Sequence, residues 1–275
     1  MNKRIVSSPQ KAARANASIL HDRSFILNDK TPFSIIEEYK TLRTNIMFSI
    51  PSEGCKVVGM TSAQSMDGKS INCLNLAITV AQTGARVLLI DGDLRLPKVA
   101  RLLDMEAIPG ISNVLVGLST LKEAVKPTPF SGLHVLLSGD IPPNPSELLG
   151  SESMGKLLEE LKTRYDYIFI DLPPVNIVSD AMAMSKFLSG EIIVVRSGLS
   201  DRENVARAIG QLEFVDANVL GIILNGVPVK TGGRLGRYGK YGKYGKYGHY
   251  SKYGYNSHYN TANQNRTGTV HNHKS

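Results

Sequence analysis

Six short apolar runs, rich in β-branched residues, recur between residues 56 and 227 and predict buried strands. Helix-compatible stretches such as 69–83 and 147–164 separate most of these runs. This alternation predicts an α/β fold, in which helices cover both faces of a mostly parallel central sheet. Ligands of such sheets bind at the carboxyl ends of the strands. The predicted strands are residues 56–62, 86–91, 133–139, 165–171, 191–198 and 219–227.

Residues 229–275 differ from the rest of the chain in charge. They contain nine Lys or Arg and no Asp or Glu, whereas residues 1–228 contain 23 basic and 24 acidic side chains. Within them, residues 238–259 are too rich in glycine for a helix and too poor in apolar neighbours for a core. We therefore predict an uncertain N-terminal extension (1–32), one folded domain (33–228) and a flexible basic tail. Because the tail carries the excess charge, no specific nucleic-acid partner is expected.

The cysteines and the apolar segments give expectations about location. Cys55 and Cys73 belong to no CxxC or Cys/His pattern, so no zinc site is predicted and a reducing compartment is expected. The first twenty residues lack the apolar run of a signal peptide, and no segment approaches the ~18 apolar residues of a membrane span. We expect a cytoplasmic protein that a partner recruits to the inner face of the cell membrane.

The segment TSAQSMDGKS, residues 61–70, lies directly between a predicted strand and a predicted helix. It fits the phosphate-loop pattern G-x-x-x-x-G-K-[S/T], with Ala63 in place of the first glycine. Lys69 would reach the β and γ phosphates, and Ser70 would bind Mg²⁺. The alternative is an ordinary strand-to-helix turn with a solvated lysine. The predicted nucleotide-binding residues of the loop are Ala63, Gln64, Ser65, Met66, Asp67, Gly68, Lys69 and Ser70.

Aspartates end two further predicted strands. VLLIDGDLR (87–95) contains Asp91 and Asp93, and YIFIDLPP (167–174) contains Asp171. A single aspartate after a strand is common and usually caps a helix or makes a turn. Three of them in a chain with a phosphate loop indicate a site for ATP and Mg²⁺, since magnesium prefers a few oxygen ligands and retains several waters.

Together these motifs resemble those of the bacterial tyrosine kinases that accompany exopolysaccharide and capsule synthesis. Two further segments share the resemblance: EEYKTLRTNI (37–46) is similar to the family's subunit-contact helix, and IPPNPSELLGS (141–151) to a family loop and helix. The tyrosine-rich tail is also similar to the C-terminal tails of this family. The resemblance covers roughly residues 33–228 plus the tail, and it implies a P-loop NTPase architecture related to septum-positioning ATPases.

The resemblance implies a kinase that phosphorylates its own tail between subunits. Lys69, Asp91, Asp93 and Asp171 would be catalytic: Asp91 is the expected base or orienter for the phenol, and Asp93 and Asp171, with Ser70, hold the metal and its waters. Asn225 lies at the position where related proteins contact adenine; the alternative is that it is a turn residue before Gly226. The unmodified tail would dock on the neighbour's three aspartates. The acceptors would be Tyr238, Tyr241, Tyr244, Tyr247, Tyr250, Tyr253, Tyr255 and Tyr259.

The partners are also implied by the resemblance. Glu37, Lys40 and Arg43 occupy the contact motif E-x-x-R-x-x-R, with lysine in place of the first arginine, and would join subunits into a homo-oligomeric ring. A separate transmembrane protein would activate the kinase, and a tyrosine phosphatase would reverse its action. Sugar-nucleotide enzymes or polysaccharide-assembly proteins would be its substrates.

An alternative is a switch ATPase related to partition and septum-positioning ATPases. Its phosphate loop carries a lysine at the position of Gln64, which this sequence lacks. In that case the tail would be a binding segment. Lys and Tyr at this density would also suit RNA or anionic lipid.

Overall fold

The structure is a computed structural model that describes residues 21–50 and 53–228. The tail (229–275) and most of the predicted N-terminal extension lie outside the described residues. The domain boundaries proposed from the sequence therefore stay predictions.

The described residues form a seven-stranded sheet in the order β3-β4-β2-β5-β1-β6-β7. Every neighbouring pair is parallel except β3 and β4, which are antiparallel. The predicted mostly parallel α/β sheet is confirmed. The strands are β1 (Lys56–Ser62), β2 (Val87–Asp91), β3 (Val125–Pro127), β4 (Leu133–Leu136), β5 (Tyr167–Asp171), β6 (Gly190–Arg196) and β7 (Val219–Asn225).

Helices connect most of these strands. The two longest helices lie on either side of β1 in the chain: one precedes this strand and the other follows it. Numbered along residues 33–228, the helices are α1 (Phe33–Ser49), α2 (Lys69–Ala81), α3 (Val99–Leu103), α4 (Ile111–Leu115), α5 (Leu121–Ala124), α6 (Pro145–Leu149), α7 (Glu152–Lys162), α8 (Asp180–Met184) and α9 (Arg202–Glu213), with a 3₁₀ turn at Ser185–Phe187.

Two elements differ from the sequence prediction. The single helix expected over 147–164 is two helices, because α6 ends before Gly150 and Ser151 starts α7 by accepting a hydrogen bond from the backbone N–H of Met154 at 3.2 Å. The sequence analysis also missed β3, an edge strand of three residues. A strand this short carries too few residues for an alternating pattern to be recognised.

The central strands are buried on both faces, so successive side chains enter two different cores. In β2, Leu88 and Ile90 join the core beneath α7 and α9. Val87 and Leu89 join the core beneath α2, which also receives Phe169 from β5. The continuous apolar runs in the sequence reflect this burial, since a parallel sheet covered by helices has no solvated face.

Helix α1 is attached to α2 largely through polar contacts. The hydroxyl of Tyr39 donates to Asn72 Oδ1 at 3.0 Å and accepts from Asn75 Nδ2 at 3.1 Å. Arg43 Nη1 donates to the carbonyl of Thr79 at 3.0 Å. Ile46 is the buried side chain of this helix. The orientation of α1 therefore depends on a few specific hydrogen bonds as well as on apolar packing.

Glu191, at the start of β6, is a buried carboxyl group far from the carboxyl edge of the sheet. Its Oε1 accepts a hydrogen bond from the Ser185 hydroxyl, and its Oε2 has no partner among the described residues. Burial raises the pKa of Glu191 to about 7, and the hydrogen bond from Ser185 only partly opposes this rise. The folded protein thus holds this proton over a pH range in which the unfolded chain releases it.

We predict that Glu191→Gln removes a pH dependence of stability. Since the pKa is raised from 4.5 to about 7 on folding, Glu191 destabilises the fold progressively as pH rises through this window, by about 3 kcal/mol in total. Wild type and variant should unfold at similar temperatures near pH 4.5, and the variant should be the more stable above pH 7. Thermal unfolding across this range, with the exposed Glu213→Gln as control, measures the difference. Equal stability at every pH would contradict the prediction.

Candidate active site

The sheet order brings the three motifs of the sequence to one edge. Strands β1, β5 and β2 are parallel neighbours, with Met60 paired to Asp171 and Asp171 paired to Asp91. The loop that follows β1 and the aspartates that end β5 and β2 therefore lie side by side at the carboxyl edge. This is the edge where open parallel sheets bind ligands.

The loop between β1 and α2 has the backbone conformation of a phosphate loop. Gly68 precedes α2 with φ +91°, and a Cβ atom there would clash with the side-chain amide of Asn225, so only glycine fits. Met66 also has a positive φ, +70°. Its carbonyl accepts a hydrogen bond from Arg196 Nη1 at 3.2 Å. A non-glycine residue in this region costs backbone energy and is held there by its surroundings.

Asp67 ties this loop to the ends of β6 and β7. Its buried carboxylate accepts hydrogen bonds from the Gln64 backbone N–H at 3.3 Å and from the Ser200 hydroxyl at 2.8 Å. Its carbonyl accepts a hydrogen bond from Asn225 Nδ2 at 2.8 Å. Asn225, proposed from the sequence to contact adenine, thus lies directly against the phosphate loop. The sequence analysis did not identify Ser200 or Arg196, which no motif marks.

Lys69 extends from the first turn of α2 toward the aspartates. Its Nζ lies 2.9 Å from Asp93 Oδ2 and 3.4 Å from Asp171 Oδ1. Burial lowers the pKa of Lys69, but the carboxylates of Asp171 and Asp93 outweigh burial and leave the pKa above its usual value. The ammonium group is therefore fully charged at neutral pH.

The three aspartates have different electrostatic environments. Burial raises the pKa of Asp93, but the nearby Lys69 outweighs it and the net shift is downward. Burial, followed by the charge of Asp171, raises the pKa of Asp91 to about 8. Asp91 Oδ2 accepts a hydrogen bond from the Val99 backbone N–H at 3.0 Å. Burial also raises the pKa of Asp171. Asp93 is therefore ionised at neutral pH, whereas the surroundings of Asp91 favour its protonated form.

Three buried oxygens at this edge lack hydrogen-bond partners among the described residues: Ser70 Oγ, Asp91 Oδ1 and Asp171 Oδ2. Buried polar atoms are normally paired, so such a group indicates a ligand site. Hydroxyl and carboxylate oxygens are suitable ligands for Mg²⁺. Within residues 21–50 and 53–228 no group of three His, Cys, Asp or Glu side chains is arranged to hold a metal alone. The residues therefore fit a magnesium ion that nucleotide oxygens and waters also coordinate.

The three aspartates that the basic tail was expected to approach are buried. Asp91, Asp93 and Asp171 are only 0%, 4% and 0% exposed. Asp93 and Asp171 are already paired with Lys69. The docking of a basic tail on these aspartates stays a prediction.

A second charged network lies next to the aspartates and was not predicted. The guanidinium of Arg95 binds both carboxylate oxygens of Asp180, with Nε–Oδ2 3.0 Å and Nη2–Oδ1 2.9 Å. Arg95 Nη2 also donates to Ser146 Oγ at 3.2 Å, and Ser146 in turn donates to Asp180. Asp180 is fully buried. The network joins the loop after β2 to α6 and α8.

The remaining predicted residues have separate locations. Lys40 Nζ lies 2.7 Å from Glu37 Oε1, and both side chains are substantially exposed on α1. Arg43 contacts α2 of its own chain, as described above. The eight tail tyrosines lie outside the described residues. The roles proposed for these groups stay predictions.

Comparison with known proteins gives a consistent result. The AAA domain family matches residues 55–204. The tyrosine-protein kinase YwqD of Bacillus subtilis is 37% identical over 227 residues, which are 82% of this chain and 96% of that protein. The kinase domain of the Escherichia coli tyrosine kinase ETK has a TM-score of 0.68 at 33% identity, covering 74% of this chain and 80% of that chain.

The fold itself is shared more widely. The septum site-determining protein MinD of Pyrococcus horikoshii, in a structure with Mg-ADP, has a TM-score of 0.53 at 23% identity and covers 62% of this chain and 70% of that chain. This likeness concerns the fold alone and agrees with the predicted P-loop architecture. The sequence similarity covers nearly the whole of YwqD, and the chain therefore belongs to the family of bacterial tyrosine-protein kinases.

Proposed function

We propose that this chain transfers the γ-phosphoryl group of ATP to tyrosines in the tail of a neighbouring subunit, and that this reaction regulates the synthesis and export of exopolysaccharide or capsule. The observation that carries the proposal is the convergence of Lys69, Asp91 and Asp171 beside the phosphate loop. The polysaccharide role rests on the family resemblance.

The phosphate loop would bind the nucleotide. Its backbone N–H groups and the N-terminus of α2 would surround the phosphate oxygens, and Lys69 would contact the β and γ phosphates. Ser70, Asp93 and Asp171 would hold Mg²⁺ or its waters. When bound, the ion would neutralise charge that develops on the transferred phosphoryl group. Asn225, already packed against Gly68, would lie beside the adenine.

Asp91 is suited to receive the proton of the acceptor. In the reaction the phenol oxygen forms a bond to the γ-phosphorus while the bond from that phosphorus to the bridging oxygen of ADP breaks. The phenol proton passes to Asp91 in its carboxylate form, which the raised pKa makes a stronger base than an exposed aspartate. Positioning and electrostatic stabilisation supply most of the acceleration in phosphoryl transfer.

The tail would supply the acceptors. Eight of the chain's eleven tyrosines lie between residues 238 and 259, separated by small or basic residues. Each phosphate adds about −1.5 to −2 charge, so extensive modification would reverse the sign of the tail. Subunits would assemble into a ring through Glu37, Lys40 and Arg43 on α1.

Further partners are proposed from the family resemblance. They are a separate transmembrane activator that holds the kinase at the inner face of the membrane, a tyrosine phosphatase, and sugar-nucleotide or polysaccharide-assembly enzymes as substrates. Among the described helices, none has both the length and the apolar composition needed to span a bilayer.

We predict that Lys69→Met abolishes phosphorylation of the tail. The substitution keeps the aliphatic stem but removes the cation that would bind the β and γ phosphates, so phosphotyrosine in residues 229–275 should fall at least about 100-fold. Mass spectrometry of the tail from native cells measures it. Lys162→Met, which removes the exposed ion pair with Glu159, is the control and should leave the signal unchanged. An unmodified tail in wild type would favour the switch ATPase.

We predict that Asp91→Asn lowers kcat for tyrosine phosphorylation about 100-fold or more, because the amide cannot accept the phenol proton. The KM for ATP should stay within about threefold of wild type, since Asp91 contacts no phosphate in this scheme. Steady-state kinetics with the activator present measure both constants. Asp104→Asn, which changes an exposed aspartate paired with Arg23, is the control. A near-normal kcat would refute the role of Asp91.

We predict that transfer occurs between subunits. One full-length chain would carry Lys69→Met with an intact tail, and the other would be active with all eight tail tyrosines changed to serine. Neither chain can modify itself, so phosphotyrosine should form only when both are expressed together. Absence of phosphotyrosine in the mixture, when wild type is phosphorylated, would show that each tail reacts in its own subunit.

A further inference from the structure

Three large apolar side chains stand exposed around the candidate active site. Leu96, Ile141 and Ile177 are 65%, 66% and 60% exposed. They lie in the segments that follow β2, β4 and β5, which are adjacent in the sheet in the order β4-β2-β5. Each segment leaves the carboxyl edge of the sheet. We call these three residues the apolar rim.

The rim is fixed by the network around Arg95. Arg95 directly precedes Leu96, Asp180 lies three residues after Ile177, and Ser146 lies five residues after Ile141. The Arg95 guanidinium binds both Asp180 and Ser146, so hydrogen bonds connect the three segments that carry the rim. Ser146 belongs to the segment IPPNPSELLGS (141–151), which contains none of the proposed catalytic residues, so the network indicates a role for this segment.

The rim is also close to the reacting groups along the chain. The backbone N–H of Leu96 donates to Asp93 Oδ1 at 3.0 Å. Ile177 follows Asp171 through the Pro173–Pro174 pair, and its backbone N–H donates to the Pro174 carbonyl at 3.1 Å. A segment that packs on the rim would therefore pass beside the aspartates.

The tyrosine-rich tail has side chains that can pack on this apolar rim. Strand β7 runs parallel to β6 and so ends at the same edge, with Asn225 against the phosphate loop. The tail begins four residues later, at residue 229. Its tyrosines at 238, 241, 244, 247, 250 and 253 are spaced by three, with glycine beside most of them and no acidic residue. These rings have few apolar neighbours in their own segment.

The tail presents its tyrosines at a regular interval. Residues three apart in an extended chain are about 10 Å apart. The rim residues lie in the segments that follow three adjacent strands, β4, β2 and β5. A tail that lies across the rim would therefore offer several rings in succession. Glycines between them allow the backbone to approach closely.

We propose that the apolar rim of Leu96, Ile141 and Ile177, held in place by Arg95, Ser146 and Asp180, is the docking surface for residues 238–259 of a second copy of the chain. The inference rests on the function proposed above. It identifies the three rim residues as specificity determinants for the tyrosine-rich tail, and Arg95, Ser146 and Asp180 as positioning residues.

The test measures transfer between two full-length chains in the presence of the activator. The enzyme carries serine at all eight tail tyrosines, and the acceptor is the Lys69→Met chain. Changing Leu96, Ile141 and Ile177 to serine in the enzyme should raise the KM for the acceptor at least tenfold. ATP hydrolysis without acceptor and the KM for ATP should change less than twofold. Val116→Ser/Leu118→Ser, at two exposed apolar positions in the segment after α4, is the control.

A binding experiment separates docking from chemistry. A Lys69→Met chain with phenylalanine at the eight tail positions should inhibit transfer competitively, because its rings still pack on the rim. The same chain with serine there should not. Inhibition by the phenylalanine tail should vanish in the enzyme with the serine rim and return with the conservative set Leu96→Met, Ile141→Leu, Ile177→Leu.

The positioning residues are tested by Arg95→Lys, which keeps the charge but loses the two-pronged contact with Asp180. We expect the KM for the acceptor to rise while ATP hydrolysis stays unchanged. An unchanged KM in the serine-rim enzyme, and in each single substitution, would overturn the docking proposal while leaving the kinase function intact. Absence of transfer with the intact rim would instead refute the proposed function itself.

Discussion

The placement of one buried ammonium group between two carboxylates organises the catalytic edge of this protein. Lys69 is held against Asp93 and Asp171, while Asp91 lies on the neighbouring strand without a cation of its own. One positive charge cannot balance three buried carboxylates. Burial raises the pKa values of Asp91 and Asp171, and the neighbouring carboxylates add to this rise. A divalent cation would supply further positive charge at this edge.

The sequence predicted the parts of the fold in which local pattern and tertiary environment agree. Strand β1 was predicted with its observed bounds, and α2 within two residues at its end, because an apolar run leads into Gly68 and Lys69 and a long apolar helix follows. The break between α6 and α7 was missed because a glycine inside an apolar pattern is compatible with a continuous helix. At that point the Ser151 side chain caps the N-terminus of α7, so a new helix begins there.

The site was predictable to the extent that its residues lie in contiguous motifs. Lys69 and the three aspartates follow apolar strands, and parallel pairing alone brings them together. The bonds from Asp67 to Ser200 and from Arg95 to Asp180 join residues 133 and 85 positions apart. Neither partner carries a pattern that would reveal the other, and a single sequence contains no information on such pairs. The exposure of the apolar rim also depends on the packing of three loops.

The left-handed backbone at Met66 has a consequence for nucleotide affinity. Hydrogen bonds from Arg196, Ser200 and Asn225 hold the phosphate loop in a conformation that a non-glycine residue adopts at an energetic cost. Much of the conformational entropy of ordering this loop is therefore lost when the protein folds, before any phosphate arrives. Binding to a preorganised loop retains a larger share of the contact energy as affinity. Substitutions at these three distant positions would weaken nucleotide binding by loosening the loop, without removing a single direct contact to a phosphate.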